Sequence, residues 1–472
     1  MSTAILDFTR ERDASSLVSA LTSDGRFASN DELIDWLHSF NRRYPIQIDR
    51  RPIASLDGWQ MRTAPLRLSH RSGRFFSVIG VRVKTNFGPV PEWDQPIIDQ
   101  PEIGILGIIS KVFDRVRYYL MQCKVEPGNI NGAQLSPTLQ ATRSNYSRVH
   151  GGKLPAYIEY FTGQAPVKVL IDQLQSEQGS RFLGKRNQNM IVEPLGEVDA
   201  GEEFRWMTLG QIKTLLRRNN LVNMDARSVL STIPLPTWEI EMLGSALTSF
   251  GADLVESARS HVPPARSIRD ILNWFSRMRV SYDRDVQRRG LDELNAWEVS
   301  DYDIHHRDGG HFSVIGVSVR IGNREVQEWS QPLIEHPGLG LNGLVTQRVN
   351  GVLHFLIRAC MYPGSRDTFE LGPTVSRSDY RNQFNKPGAP VYLGLFRDPA
   401  PDTVRFSSIQ SEEGGRFYHY QNHYMILELP EGTVREPEWG YTWMTMGQIQ
   451  ELFPHGYFNM EARNLIACLH LL

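Results

Sequence analysis

The sequence predicts an α+β protein made of one domain used twice, and three observations carry that reading. Phe76-Ser77-Val78-Ile79-Gly80-Val81 recurs letter for letter as Phe312-Ser313-Val314-Ile315-Gly316-Val317. Other segments return in the same order: Glu92–Pro96 as Glu328–Pro332, Gln175–Gly179 as Gln410–Gly414, Trp206–Ile212 as Trp443–Ile449, and Asn223–Arg227 as Asn459–Arg463. Strand-like and helix-like runs mix without strict βαβ alternation, which favours α+β over a doubly wound sheet. The period of 236 residues far exceeds the roughly 20–50 residues of solenoid repeats, so the pattern is a tandem duplication and not an array.

The 472 residues exceed what one hydrophobic core usually supports, and 40% hydrophobic with 22% charged residues is ordinary for a soluble globular chain. A net charge of −2 argues against nucleic acid as a partner. Three widely spaced cysteines without a CxxC pair fit the reducing cytoplasm and neither a disulfide framework nor a zinc site. No basic leader precedes an apolar run and no apolar window is long enough to span a bilayer, so neither export nor a membrane is expected.

In chain order, residues 1–27 read as a polar leader, 28–231 as the first repeat, 232–266 as a linker carrying one helix, and 267–472 as the second repeat. Leu33, Ile34, Trp36, Leu37 and Phe40 have helical spacing, with Asn30 as the expected N-cap. The spacing returns in Ile268, Ile271, Leu272, Trp274 and Phe275. Phe76–Val83, Arg117–Val125 and Ala156–Phe161 read as strands, and Leu209–Arg217 as a helix. Prolines 234, 236, 263 and 264 bracket a helical stretch from Ile240 to Ala258. Trp36, Trp59, Trp93 and Trp206 have counterparts in the second copy and read as core residues.

The stretch from Lys124 to Gly152 is unusually polar for a connector. Strand alternation places Tyr119, Met121, Cys123 and Val125 on one face and Leu120, Gln122, Lys124 and Glu126 on the other. The second copy keeps the apolar face as Phe355, Ile357, Ala359 and Met361, but turns the other into Leu356, Arg358, Cys360 and Tyr362. Packing survived duplication and the Lys124/Glu126 pair did not. An isolated pair of this kind also reads as a cross-face ion pair. The following turn framework is shared: Pro127-Gly128 with Pro363-Gly364, Pro137-Thr138 with Pro373-Thr374, Arg143 to Tyr146 with Arg377 to Tyr380. Asn129, Gln134, Ser136 and His150 change. The first half therefore reads as the working site and the second as a scaffold or altered binding site, with Tyr362, Arg377 and Tyr380 as its candidate ligand residues.

Lys124-Val125-Glu126-Pro127-Gly128-Asn129-Ile130-Asn131-Gly132-Ala133-Gln134-Leu135-Ser136-Pro137-Thr138, continuing to Arg143-Ser144-Asn145-Tyr146, resembles the signature of the NDP-hexose 2,3-dehydratases of deoxysugar biosynthesis, and the resemblance extends over nearly the whole chain. Met361-Tyr362-Pro363-Gly364 departs from it by lacking a Glu-Pro-Gly. The resemblance implies two Nudix-hydrolase-like modules, each a mixed sheet with flanking helices, in a homodimer acting on a dTDP-linked 4-keto-6-deoxy sugar. Gln175–Gly179 holds a single glutamate where Nudix hydrolysis needs several for Mg²⁺, so hydrolysis and a metal site are not expected.

In the implied substrate the C4 ketone acidifies the C3 proton. A base forms the enolate, the C2 hydroxyl leaves with an acid's help, and the enol becomes a 3,4-diketo-2,6-dideoxy sugar. No redox cofactor is needed. The candidates are Glu126 as base or acid, Tyr146 or His150 as its counterpart, Lys124 with Asn129 or Gln134 at the C4 oxygen, and Asn145 as a further substrate contact. Arg143 and Arg148 suit the diphosphate. The alternative reading is a non-catalytic nucleotide-sugar or effector-binding protein on the same duplicated fold. Gly338–Gly343 spells a dinucleotide fingerprint, but Pro337 precedes it and no βαβ unit surrounds it. His305, His306 and His311 read as a hairpin turn before the Phe312 strand.

Overall fold

A computed structural model describes residues 14–142, 154–235, 247–259, 262–322, 327–382 and 389–472. The first repeat opens with helix α1 (Asn30–Arg43), which buries Leu33, Leu37 and Phe40. Its N-cap is Ser29 and not the expected Asn30. Ser29 Oγ accepts from Glu32 N while Glu32 Oε2 accepts from Ser29 N at 2.7 Å, a reciprocal capping box. Asn30 Nδ2 instead donates to Ser23 O at 2.7 Å. Within the leader, residues 14–21 are helical, and Ser19 Oγ accepts from Leu209 N at 2.8 Å.

The strands that follow are β1 (Ile46–Arg51), β2 (Trp59–Arg62), β3 (Arg67–His70), β4 (Ser77–Thr85), β5 (Glu92–Asp99), β6 (Gly104–Phe113), β7 (Val116–Val125), β8 (Ala133–Ser136), β9 (Leu139–Ala141), β10 (Val167–Ser176), β11 (Arg186–Pro194) and β12 (Phe204–Thr208). Helices α2 (Leu209–Leu216) and α3 (Met224–Leu230) close the repeat, and α4 (Ser249–Ser257) occupies the described part of the linker. The second repeat runs α5 (Ile268–Ser281), β13 (Arg284–Arg289), β14 (Trp297–Val299), β15 (Asp303–His306), β16 (Ser313–Ile321), β17 (Glu328–Glu335), β18 (Gly340–Val349), β19 (Val352–Cys360), β20 (Glu370–Gly372), β21 (Val375–Arg377), β22 (Val404–Ser411), β23 (Phe417–Tyr418), β24 (Gln421–Leu429), β25 (Tyr441–Met444), α6 (Met446–Leu452) and α7 (Met460–Cys468). Ala156–Phe161, expected as a strand, is instead a turn with a 3₁₀ segment at Ile158–Tyr160. Tyr157 there has φ 64°, a left-handed backbone no strand accommodates. The glycine-rich Gly338–Gly343 leads into strand β18 where a dinucleotide site needs a helix.

Each repeat has a large mixed sheet and a smaller one, antiparallel in the first repeat and, in the second, antiparallel except for the short parallel pair β17–β23. The first large sheet has the order β10-β11-β6-β7-β12, with β11 and β6 parallel. The second repeats it, with β18 and β24 as the parallel pair. In the small sheets the repeats exchange strands: β1 pairs with β16 of the second repeat, and β13 with β4 of the first. The registers correspond, Arg51 opposite Gly316 and Arg289 opposite Gly80. This explains the glycine of the repeated Phe-Ser-Val-Ile-Gly-Val. A Cβ on Gly316 would meet Arg51 O at 2.5 Å, and one on Gly80 would meet Gly290 O at 2.9 Å.

The first large sheet forks where the site forms. The β6–β7 hairpin pairs from Phe113/Val116 only to Ile109/Leu120; beyond that β9 takes the partner place on β6 and β8 the place on β7. Thr138, between β8 and β9, accepts from Ile109 N at 2.9 Å and donates to Leu120 O, holding the fork open. Thr374 repeats this with Val345 N and Leu356 O.

Candidate functional site

The alternation expected for β7 is observed. Tyr119, Met121, Cys123 and Val125 join the main apolar core, while Gln122 and Lys124 line a cavity of about 290 Å³ with Thr138, Gln140, Glu203 and Phe204. At its inner wall Lys124 Nζ donates to Gln140 Oε1 at 2.6 Å and lies 3.3 Å from Glu126 Oε1. Gln140 Nε2 donates to the same Glu126 oxygen at 3.1 Å, closing a triangle. Glu126 is only 4% exposed, and its Oε2 has no hydrogen-bond partner among the described residues. A cation, an amide and a buried carboxylate with a free lone pair can hold and pass a proton beside a polar ligand. A second cavity, about 280 Å³ between α2, α6 and the C-terminal segment, is lined mostly by apolar side chains such as Leu170, Leu230 and Ile449, with no carboxylate among the described residues that line it.

The other candidates fare differently. Asn129 Nδ2 donates to Gly132 O at 2.8 Å, and its buried Oδ1 faces Gly414. Gln134 Nε2 donates to both Asn131 Oδ1 and Ser411 Oγ at 2.8 Å, so its amide hydrogens already tie the repeats together. Arg143, Asn145, Tyr146, Arg148 and His150 lie outside the described residues. In the second repeat, the Tyr362 phenol is pushed well up by burial and the neighbouring Glu461 charge. Arg377, at the end of β21, has its pKa lowered first by burial and then by Arg358. Tyr380 is instead a core residue, 5% exposed, with its hydroxyl 3.2 Å from His423 Nδ1.

Each Pro-Gly turn docks into the opposite repeat. Gly128 N donates to Gly414 O at 2.7 Å and Gly128 O accepts from His419 N at 2.8 Å; Gly364 N donates to Gly179 O at 2.7 Å and Gly364 O accepts from Gly184 N at 2.7 Å. The Gln175–Gly179 and Gln410–Gly414 loops are therefore cross-repeat walls, and they bring buried carboxyls that the sequence reading did not select. Burial raises Glu177 to about 7, helped by the Glu413 charge. Asp225, in the first turn of α3, is pushed well up by burial and then by Glu413, Glu177 and Glu126. Gln140 was also missed. Glu413 stands opposite Gln178 in the aligned loops, so the half-to-half comparison that selected Lys124 would have found it.

The fold is a duplicated α+β one whose copies differ at the Lys124/Glu126 pair, and the comparisons give the class: a carbon–oxygen lyase family. The NDP-hexose 2,3-dehydratase family model matches residues 30–233 and 268–469, and the chain belongs to that family. Over 456 residues it is 42% identical to a dTDP-4-dehydro-6-deoxy-alpha-D-glucopyranose 2,3-dehydratase of Saccharopolyspora spinosa, covering 96% of this chain and 94% of that protein. Proteins of the same description from Amycolatopsis orientalis and Streptomyces violaceoruber are 38% and 41% identical, the alignments covering 96% and 93% of this chain and 93% and 96% of those proteins.

Proposed function

We propose that this chain dehydrates a dTDP-linked 4-keto-6-deoxyhexose across C2 and C3, in the biosynthesis of a deoxysugar for a natural product such as an antibiotic. The observation that carries the reading is the Lys124–Glu126–Gln140 triangle at the wall of a cavity, in a chain of this family. Glu126, with a free buried oxygen, takes the C3 proton or returns one to the leaving C2 hydroxyl. The second proton transfer falls to Tyr146 or His150. Lys124 stabilises charge at the C4 oxygen, since both hydrogens of Gln134 are engaged elsewhere. Arg143 and Arg148 take the diphosphate, with Asn145 and Asn129 as further polar contacts. Water is lost, one C–O bond breaks, and the enol tautomerises with no net oxidation. Tyr362 and Arg377 give the second repeat a ligand-binding role, each module is Nudix-like, and the enzyme works as a cytoplasmic homodimer.

The test is incubation with the 4-keto sugar nucleotide in deuterated water. Loss of water with solvent deuterium appearing in the sugar supports the lyase. Tight binding with neither exchange nor dehydration makes the chain a binding protein.

A further inference from the structure

At the junction of the two repeats, one half makes a contact that the other cannot make in the same way. In the second half's version, Gln178 Nε2 donates to the buried Glu412. The aligned partners in the first half's version are Glu413 and Glu177, two carboxyls and no N–H. Glu177 is 3% exposed; Oε1 accepts from Asn187 Nδ2 at 2.5 Å, and Oε2 has no hydrogen-bond partner among the described residues. Glu177 is buried and Glu413 half-buried, and two carboxyls set by the repeat symmetry where Gln178 meets Glu412 cannot both be ionised cheaply; one proton between them relieves this. Burial raises both groups in this sense, Glu177 to about 7.

Glu413 also abuts the candidate site. The Cβ direction of Gly415 ends 3.0 Å from Glu413 Oε1 and 3.8 Å from Glu126 Oε1, so carboxyls from different repeats flank one glycine. Among the described residues, the charged neighbours of Glu126 include Lys124 on β7, Asp225 on α3 and Glu413. Those of Glu413 are Arg416, Lys185, Lys124, Asp225 and Glu177, the last also facing Arg463.

We propose that Glu413 is a positioning residue contributed by the second repeat to the first repeat's site: it shares one proton with Glu177 across the repeat junction and, standing beside Glu126, holds the Lys124–Glu126–Gln140 group in place. The proposal rests on the dehydratase reading for its consequence in turnover, but not for the shared proton. A residue kept for this purpose makes the junction less stable than a neutral amide would.

Glu413→Gln tests it, because glutamine already occupies the aligned place in the other loop. The variant should melt at least about 1 °C above wild type at pH 8, where the pair must give up its proton, with the gap closing at pH 6. Turnover should fall at least tenfold with KM within threefold, a loss in kcat that a merely structural change at the junction would not confine to the chemical step. Gln178→Glu, which puts a carboxyl against Glu412, should lower the melting temperature at pH 8. A Glu413→Gln protein that melts below wild type at pH 8, or that turns over as fast as wild type, overturns the proposal. If wild type itself fails to dehydrate the sugar, the functional reading fails, while the melting curves still decide the shared proton.

Discussion

Lys124, Glu126 and Gln140 differ in exposure, and the difference assigns their parts. The Lys124 side chain is 19% exposed and reaches the cavity, whereas that of Glu126 is 5% exposed. A glutamine at position 126 keeps the shape and the contacts to Lys124 and Gln140 but cannot take a proton. Glu126→Gln is expected to lower kcat by about 10²-fold or more, with nucleotide affinity within a few-fold, read by turnover assays and calorimetry. Retained turnover would remove Glu126 from the mechanism. Lys124 and Glu126 were legible because alternation fixes strand faces and the second copy has Cys360 and Tyr362 in their places. Gln140 was not. It lies fourteen positions beyond Glu126 on another strand, and only the fork between β6 and β7 brings it back to Glu126.

At the scale of elements, the Pro-Gly turns do more than reverse the chain. A Cβ on Gly128 would sit 1.6 Å from Phe417 O, and one on Gly364 1.7 Å from Phe182 O. Backbone cannot move aside as a side-chain tip can, so the glycines are required by the neighbouring repeat and not by turn geometry alone. Gly128→Ala and Gly364→Ala should each cost about 1–3 kcal/mol, seen as a lower denaturation midpoint. Gly128→Ala should also lower turnover because it shifts the loop that carries Glu413. A change confined to local flexibility, with stability intact, would contradict this docking. The turns themselves were readable from Pro-Gly. That their partner is the other repeat was not, because sequence spacing carries no information about which distant carbonyl a turn will meet.

The whole molecule is interlocked by three devices: exchanged β1 and β13, reciprocal Pro-Gly turns, and α3 against α7, where Arg227 Nε donates to Asn464 Oδ1 at 2.7 Å and Arg463 Nη1 to Ser228 Oγ at 2.5 Å. Junction carboxyls make stability depend on pH. Burial raises Glu177 to about 7 and Glu461 to about 8, so each is held protonated in the fold below that value; its favourable contribution is complete below the unfolded pKa and is lost as pH rises to 8. Half-buried His336 and His470, held down to about 4 by desolvation, act oppositely and lose stability as pH falls below their unfolded value of about 6.5. The melting temperature should therefore stay level between about pH 4.5 and 6.5, where the two opposed pairs offset, and fall toward pH 8, with the alkaline fall shallower in Glu461→Gln; a curve that rises from pH 6.5 to 8 would refute these assignments. The sequence by itself determined the duplication, the α+β class, the alternating faces of β7 and the polar pair special to the first copy, because repetition and side-chain period are local properties of the chain. Only the tertiary structure decided that each repeat borrows a strand and a loop from the other, and that Glu413, 287 positions from Glu126, stands beside it. Pairing of strand edges and burial of charge depend on which surfaces meet in space, and two halves of the same fold can satisfy those demands either within themselves or across each other.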